Sequence, residues 1–329
     1  MQARTHQETS QALVVSNEGA ALIPAGLVAS AREYVKHAKA DATRKAYAGD
    51  WQAFVAWCDS KGLEALPASP DTVACYVAAL ADAGRKYAGI ARTLTGISQA
   101  HKHAGLLSPR GAAQVQAAMQ GIRRTLGVAQ VQKSPILAGE LRAMVSAMPV
   151  SLKGARDRAL LLLGFAGAFR RSELAGLNVS DLAFGADGLT VTLRRSKTDQ
   201  EGAGRKVGVP FGSEPTTCPV RTLKAWLESS GVVAGALFVG MTRHGHLTGK
   251  RLLGCDIARV VKVAASAIGL DASGFSGHSL RAGLATSAAK AGKSERAIMN
   301  QTGHRSVTMV RRYIRDASLF TDNACAGLL

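Results

Sequence analysis

Six side chains in the second half of the sequence have types and spacing suited to one reaction: Arg170 in GAFRRSELAGL, Lys197 in RRSKTDQEG, His278 and Arg281 in GHSLRAG, and His304 and Tyr313 in TGHRSVTMVRRYIR. Guanidiniums donate paired, charge-assisted hydrogen bonds to anionic oxygens. Imidazoles and amines move protons. A phenol becomes a nucleophile once its proton, with a reference pKa of about 10, has somewhere to go. Together these are the means for attack on a phosphodiester, whose own charge repels nucleophiles and whose transition state gathers more charge on the non-bridging oxygens. His278 and Arg281 stand one helical turn apart and can aim at one target, and Glu173 shares a face with Arg170 if a helix begins there. Taken singly, such residues are more often ion pairs or core. Their order is the specific signal.

Other chemistries find less support. AAKAGKS ends like a phosphate-cradling loop, with Gly292, Lys293 and Ser294, but Ser287 occupies the required first glycine position. Gly292 is expected to close a helix instead, and no nucleotide is expected. His101-x-His103 and His244-x-His246 lack cysteine or carboxylate partners at ligand spacing, so no metal and no other cofactor are expected. These histidines are expected to touch DNA or solvent.

Composition agrees with an anionic substrate. Lys and Arg number 41 against 23 Asp and Glu, a net charge of +18, and a surface so basic favours a polyanion whose condensed counterions are released on binding. No apolar run reaches the ~20 residues that span a bilayer, and Ala159 to Phe169 is interrupted by Gly164 and Gly167. A membrane partner is not expected. The N-terminus lacks the order of a signal peptide. The five cysteines are scattered without a CxxC pair, as in core-filling reduced thiols of a cytoplasmic protein.

Two folding units must position the reactive residues. With 329 residues, 47% of them hydrophobic, each unit can bury its own core. Residues 1–28 read as a loose tail, with room for one short helix. Residues 29–127 read as a helical bundle: Tyr47, Trp51, Phe54, Val55 and Cys58 form one stripe, and Ser69 and Pro70 start a helix that Gly84 ends. Residues 128–135 break the periodicity and read as a linker, with Pro135 at its end. From 136 to 329 the pattern is mostly helical, with helices near 138–148, 155–168, 172–177, 218–229, 255–269, 279–291, 294–301 and 306–315. GLTVTLRRSKTDQEGAGRKVGVP alternates on both sides of a Gly-rich turn and reads as a β-hairpin carrying Lys197. The fold class is mainly α: a helical bundle plus a mixed α/β, mostly helical domain with a small antiparallel sheet.

The ordered set Arg170, Lys197, His278-x-x-Arg281, His304 and Tyr313 resembles the tyrosine recombinase (phage integrase) family, and the resemblance covers nearly all of the chain from about residue 30. TRKAYAGDWQAFVAWC resembles the first helix of the family's DNA-clamping domain. The run from Gly274 to Arg315 resembles the Cre-type branch, with one departure: that branch carries Trp where His304 stands. The resemblance implies site-specific cutting and rejoining of DNA through a 3′-phosphotyrosyl link at Tyr313. Arg170, Arg281 and His304 would donate to the non-bridging oxygens, His278 would be the general base and Lys197 the general acid for the 5′ oxygen. Glu173 would orient an arginine or nearby backbone. Arg44, Lys45, Lys86, Arg92, Arg123 and Arg124 resemble positions that meet double-stranded DNA, as do Arg243 and Lys250 in the loop TRHGHLTGKR. Leu319, Phe320 and Ala324 form a C-terminal stripe expected to dock on a neighbouring subunit, giving a homotetramer on two duplexes. A type IB topoisomerase shares the cleavage chemistry, but the short chain and C-terminal tail argue against it. A non-catalytic DNA-binding or architectural protein is a third reading, against which the intact six-residue set argues.

Overall fold

A computed structural model of the chain describes residues 24–129, 132–194, 204–318 and 325. These fall into two compact units that part between Val131 and Gln132.

The first unit is helical: α1 (Ala25–His37), α2 (Asp41–Asp59), α3 (Pro70–Asp82), α4 (Tyr87–His103) and α5 (Ala113–Leu126). Helix α1 starts inside the stretch expected to be a tail, and it is largely exposed, Leu27, Tyr34 and Val35 included. The start of α3 follows from its sequence: the Ser69 hydroxyl accepts the Thr72 N–H at 3.0 Å and Pro70 fills the first helical position. Phe54, Cys58, Val73, Val77, Ile90 and Ile97 are fully buried and tie α2, α3 and α4 together. His101 belongs to this core as well, correcting its expected place at the surface. Its Nε2 accepts the Ala68 N–H at 2.9 Å and its Nδ1 pairs with the Ile97 carbonyl at 2.9 Å. The ring thereby satisfies a loop amide that packing has removed from water.

The second unit contains α6 (Ala138–Ser146), α7 (Leu152–Ala166), α8 (Arg171–Gly176), β1 (Leu182–Phe184), β2 (Gly188–Leu193), β3 (Arg205–Pro210), α9 (Pro219–Ser230), β4 (Val239–Met241), β5 (Leu247–Arg251), α10 (Gly254–Ala267), α11 (Ser279–Lys290), α12 (Glu295–Thr302) and α13 (Val307–Ser318). Strands β1, β2 and β3 form an antiparallel sheet in that order, with Leu193 opposite Arg205 at the base of the hairpin. Helix α7 runs through the core, with Leu160 to Leu163 at most 4% exposed, which explains why this stretch of four leucines is apolar on every face. Trp226, Phe169 and Phe238 pack in the same core.

The segment around Arg243 and Lys250 is not a loop but a second hairpin, β4 paired with β5. It escaped detection because β5 is mostly exposed on both faces and so carries no alternation to read. The cysteines also divide differently from expectation: Cys58 and Cys218 are buried, while Cys75, Cys255 and Cys325 are exposed. No helix among the described residues is long and apolar enough to cross a membrane.

Candidate active site

The sharp turn after α7 builds the first half of the site. Ala168 adopts φ +49°, the left-handed region that costs a residue with a Cβ about 1–2 kcal/mol. That twist turns its carbonyl toward α11, where Arg281 Nη1 donates to it at 2.8 Å. Two residues later Arg170 caps α8, and Glu173 holds it twice: one carboxylate oxygen accepts the Arg170 N–H at 2.8 Å, the other accepts Nη1 at 2.6 Å. The Glu173 side chain is 2% exposed, so solvent screens the pair weakly.

Arg281 is 1% exposed, and its Nη2 has no hydrogen-bond partner among the described residues. A buried guanidinium donor left unpaired is costly unless an acceptor arrives, so the pocket is prepared for an anion. Helix α11 reaches this depth because Gly283 lies against the chain at Ile136: a Cβ there would stand 1.8 Å from the Ile136 oxygen. Ile136 in turn donates its N–H to Ser279 O at 3.0 Å.

The second half comes from the turn between α12 and α13. Gly303, at φ +66°, ends α12 in the left-handed conformation, and His304 follows. Tyr313 lies half-buried on α13 against Ala285, Ile298 and Val310, with its ring centroid 5.9 Å from that of His304. Arg205, the first residue of β3, joins them without having been singled out in the sequence. Its guanidinium lies over Gly303 and donates to the Asn300, Gln301 and Thr302 carbonyls at 3.2–3.5 Å. Gln301 reinforces the same corner, donating to Ala166 O at 2.7 Å and Gly208 O at 3.0 Å. The sole sequence signal for Arg205 was its place directly after the Gly-rich turn.

These groups lie close enough for their charges to act on one another. Burial, then the Arg170 charge, lowers the Arg281 pKa to about 10, where it remains a cation at neutral pH. Burial also lowers Arg205, with Glu173 opposing the shift and Arg170 adding to it. His304 falls to about 4, first through burial and then through Arg281, Arg170, His278 and Arg205. It is a neutral imidazole ringed by cations. His278 sits at the N-terminus of α11, exposed, and within reach of the His304 charge. Lys197 lies outside the described residues, on the connection between Leu193 and Arg205.

The other basic candidates are dispersed. Lys45 on α2, Lys86 before α4, Arg123 and Arg124 in the last turn of α5, Arg243 in the β4–β5 turn and Lys250 on β5 are all exposed. Arg44 pairs with Asp41 at 2.5 Å. Arg92 is committed to the buried Asp50 by bonds of 2.8 and 3.0 Å. Among the described residues no cluster of three or more His, Cys, Asp or Glu side chains could hold a metal ion.

Three guanidiniums, a histidine and a phenol are thus brought together in the second unit. Residues 136–319 match the family described as the phage integrase family. Over 298 residues the chain is 42% identical to an integrase/recombinase XerD homolog of Selenomonas ruminantium, covering 89% of this chain and 87% of the relative. It is 27% identical to the recombinase Cre of Escherichia phage P1, covering 80% and 81%. A lambda integrase tetramer bound to a Holliday junction superimposes with a TM-score of 0.59 at 19% identity, over 90% of this chain and 78% of that one. The last likeness bears on the fold, mainly helical with small antiparallel sheets. The chain belongs to the phage integrase family of tyrosine recombinases, enzymes that transfer DNA strands at specific sites.

Proposed function

We propose that Tyr313 is the nucleophile of this recombinase and that Arg170 and Arg281, with Arg205 beside them, hold the scissile phosphate. The observation that carries the assignment is the Arg281 Nη2, a buried donor with no partner among the described residues, on a guanidinium that the charges of both Arg170 and Tyr313 reach. A diester oxygen placed there would complete the hydrogen bonding of Arg281, and charge growing on it in the transition state would be held more strongly still. Tyr313 Oη attacks phosphorus and the 5′ oxygen leaves, giving a 3′-phosphotyrosyl ester. That ester keeps the free energy of the broken bond, so rejoining needs no nucleotide. Lys197 would protonate the departing oxygen, and the imidazoles of His278 and His304 are the acceptors available for the phenol proton. Glu173 orients Arg170 and its backbone.

The helical first unit would hold the duplex through Lys45, Lys86, Arg123 and Arg124, with Arg44 and Arg92 contributing through their exposed portions. Arg243 and Lys250 would add phosphate contacts from the second unit. Phosphate contacts of this kind position the protein without reading sequence. For assembly, the tail bearing Leu319, Phe320 and Ala324, outside the described residues, would dock on a neighbouring copy. An apolar cavity of about 560 Å³ in the second unit, walled by Leu141, Leu162, Phe165, Phe211, Leu284 and Ile298, offers the receiving surface. A ring of four such contacts would hold two duplexes.

The test is a pool of nicked duplexes that block religation after cleavage. Wild type should become covalently joined to DNA, and sequencing the joined strands should return one site. Tyr313→Phe should bind the same duplexes and form no adduct. Normal adduct formation by that variant would remove Tyr313 from the mechanism. Relaxation of arbitrary supercoiled plasmid without exchanged products would favour a topoisomerase.

A further inference from the structure

Arg171 follows Arg170 directly but takes no part in the bonds that hold it. It is exposed, and it makes no hydrogen bond or ion pair among the described residues. Its stem is nonetheless held. A Cβ on Gly277 would stand 2.9 Å from Arg171 Cδ and 3.0 Å from its Cγ, and one on Gly254 would stand 3.1 Å from Nε and 3.4 Å from Cδ. Gly277 is the residue before His278, and Gly254 is the first of α10. The side chain therefore runs from the turn that leads into α11 to the start of α10. It occupies a slot that exists because neither glycine carries a side chain.

Backbone conformation does not account for these two glycines. Neither has the positive φ that favours glycine, unlike Gly292 and Gly303. Glycine also loses more conformational freedom on folding than any other residue, so a pair of them needs another reason. What both admit is the arginine stem. An arginine free at a surface samples many rotamers, and ordering it on binding opposes affinity. A stem already laid in a slot has given up much of that freedom beforehand. A guanidinium prepared in this way, with its donors unclaimed, suits an anion that arrives from outside.

We infer that Arg171 binds the DNA backbone phosphate next to the scissile one and so fixes the strand in the pocket. This rests on the reading of Arg170 and Arg281 as the holders of the scissile phosphate. Arg170 and Arg171 are neighbours in the chain but serve different surfaces. Glu173 holds the first by its Nη1 at 2.6 Å, whereas the second runs along Gly277, beside His278, toward α10. A strand whose diester occupies the pocket brings its next phosphate beside the pocket, one nucleotide away. Held at one phosphate the strand can pivot, and held at two consecutive ones it cannot. That restraint matters because attack on phosphorus needs the reacting atoms aligned, and small misplacements slow it steeply. A phosphate contact carries no base information, so Arg171 sets the position of the strand and not the choice of site.

The test uses full-length protein and its selected duplex, with a single methylphosphonate placed in turn at each phosphate flanking the cleaved one. A methylphosphonate removes one backbone charge and keeps the rest of the strand. Arg171→Gln should weaken duplex binding by about tenfold, as loss of one charge-assisted contact does. It should also reduce the slope of log affinity against log salt by about 1. In wild type a methylphosphonate at one position adjoining the cleaved phosphate should cause a similar loss. In Arg171→Gln that same methylphosphonate should add nothing, while those elsewhere weaken both proteins equally. Gly254→Ala, whose methyl group would press on the stem, should lower affinity in the wild-type background and leave Arg171→Gln unaffected. Equal methylphosphonate losses in the two proteins at every position would overturn the inference and reduce Arg171 to packing, as would an unchanged salt slope. Cleavage by Arg170→Gln at the wild-type rate would instead remove the reading of the pocket, and the inference with it, whatever Arg171 contacts.

Discussion

At the scale of residues, the site is a balance between burial and charge. Arg281 and His304 are both displaced from their ordinary ionisation, but with different results: Arg281 stays charged at about 10, and His304 becomes uncharged at about 4. The His304 shift sets a pH dependence of stability. An unfolded histidine titrates near 6.5, whereas the folded one binds its proton only near 4. Between those values the unfolded chain holds a proton that the folded chain lacks, so acidification favours unfolding in that window. Thermal melts should show stability falling as pH drops from about 6.5 to 4, and His304→Gln should fall less over the same range. An identical slope in the two proteins would contradict the burial of a neutral His304.

At the scale of elements, the catalytic groups are placed by a few close approaches rather than by long contacts. Helix α11 is brought against the chain at Ile136 by the missing side chain of Gly283, and it delivers Arg281 two residues earlier. Gly283→Ala would put a methyl group 1.8 Å from the Ile136 oxygen. Overpacking of that kind typically costs about 1–3 kcal/mol, so urea denaturation should show a lower midpoint. Strand cleavage should fall with it, since the shift is transmitted to Arg281. A variant with the wild-type midpoint and cleavage rate would show that the approach is not needed. The strand β3 works similarly, because Arg205 ties the base of the hairpin to the end of α12 and so to His304.

At the scale of the whole molecule, the charge of +18 and two separate cores describe a basic protein of two folding units, suited to a polyanionic partner. If the tail docks as proposed, truncation after Asp316 should reduce cooperative assembly on paired duplexes by about tenfold or more in apparent affinity, as loss of a linked contact does. Binding of a single copy to one duplex should change little. Analytical ultracentrifugation with DNA would register the difference, and unchanged assembly would remove the tail from the interface.

Much of this protein was legible in its sequence, for reasons that are local. Caps such as Ser69 and Pro70, stripes such as Phe54 and Cys58, and the two-residue alternation flanking Lys197 are signals carried by neighbouring residues, and each produced the expected element. Arg170, Arg281, His304 and Tyr313 were singled out by order and type, and the fold brings all four to one pocket. What only the tertiary structure decided depends on residues far apart in the chain. The recruitment of Arg205, the burial of His101, the unpaired Arg281 Nη2 and the depressed His304 pKa arise from packing between distant segments. Periodicity and spacing record which residues share a face. They do not record what that face meets, and desolvation and charge coupling are properties of the meeting.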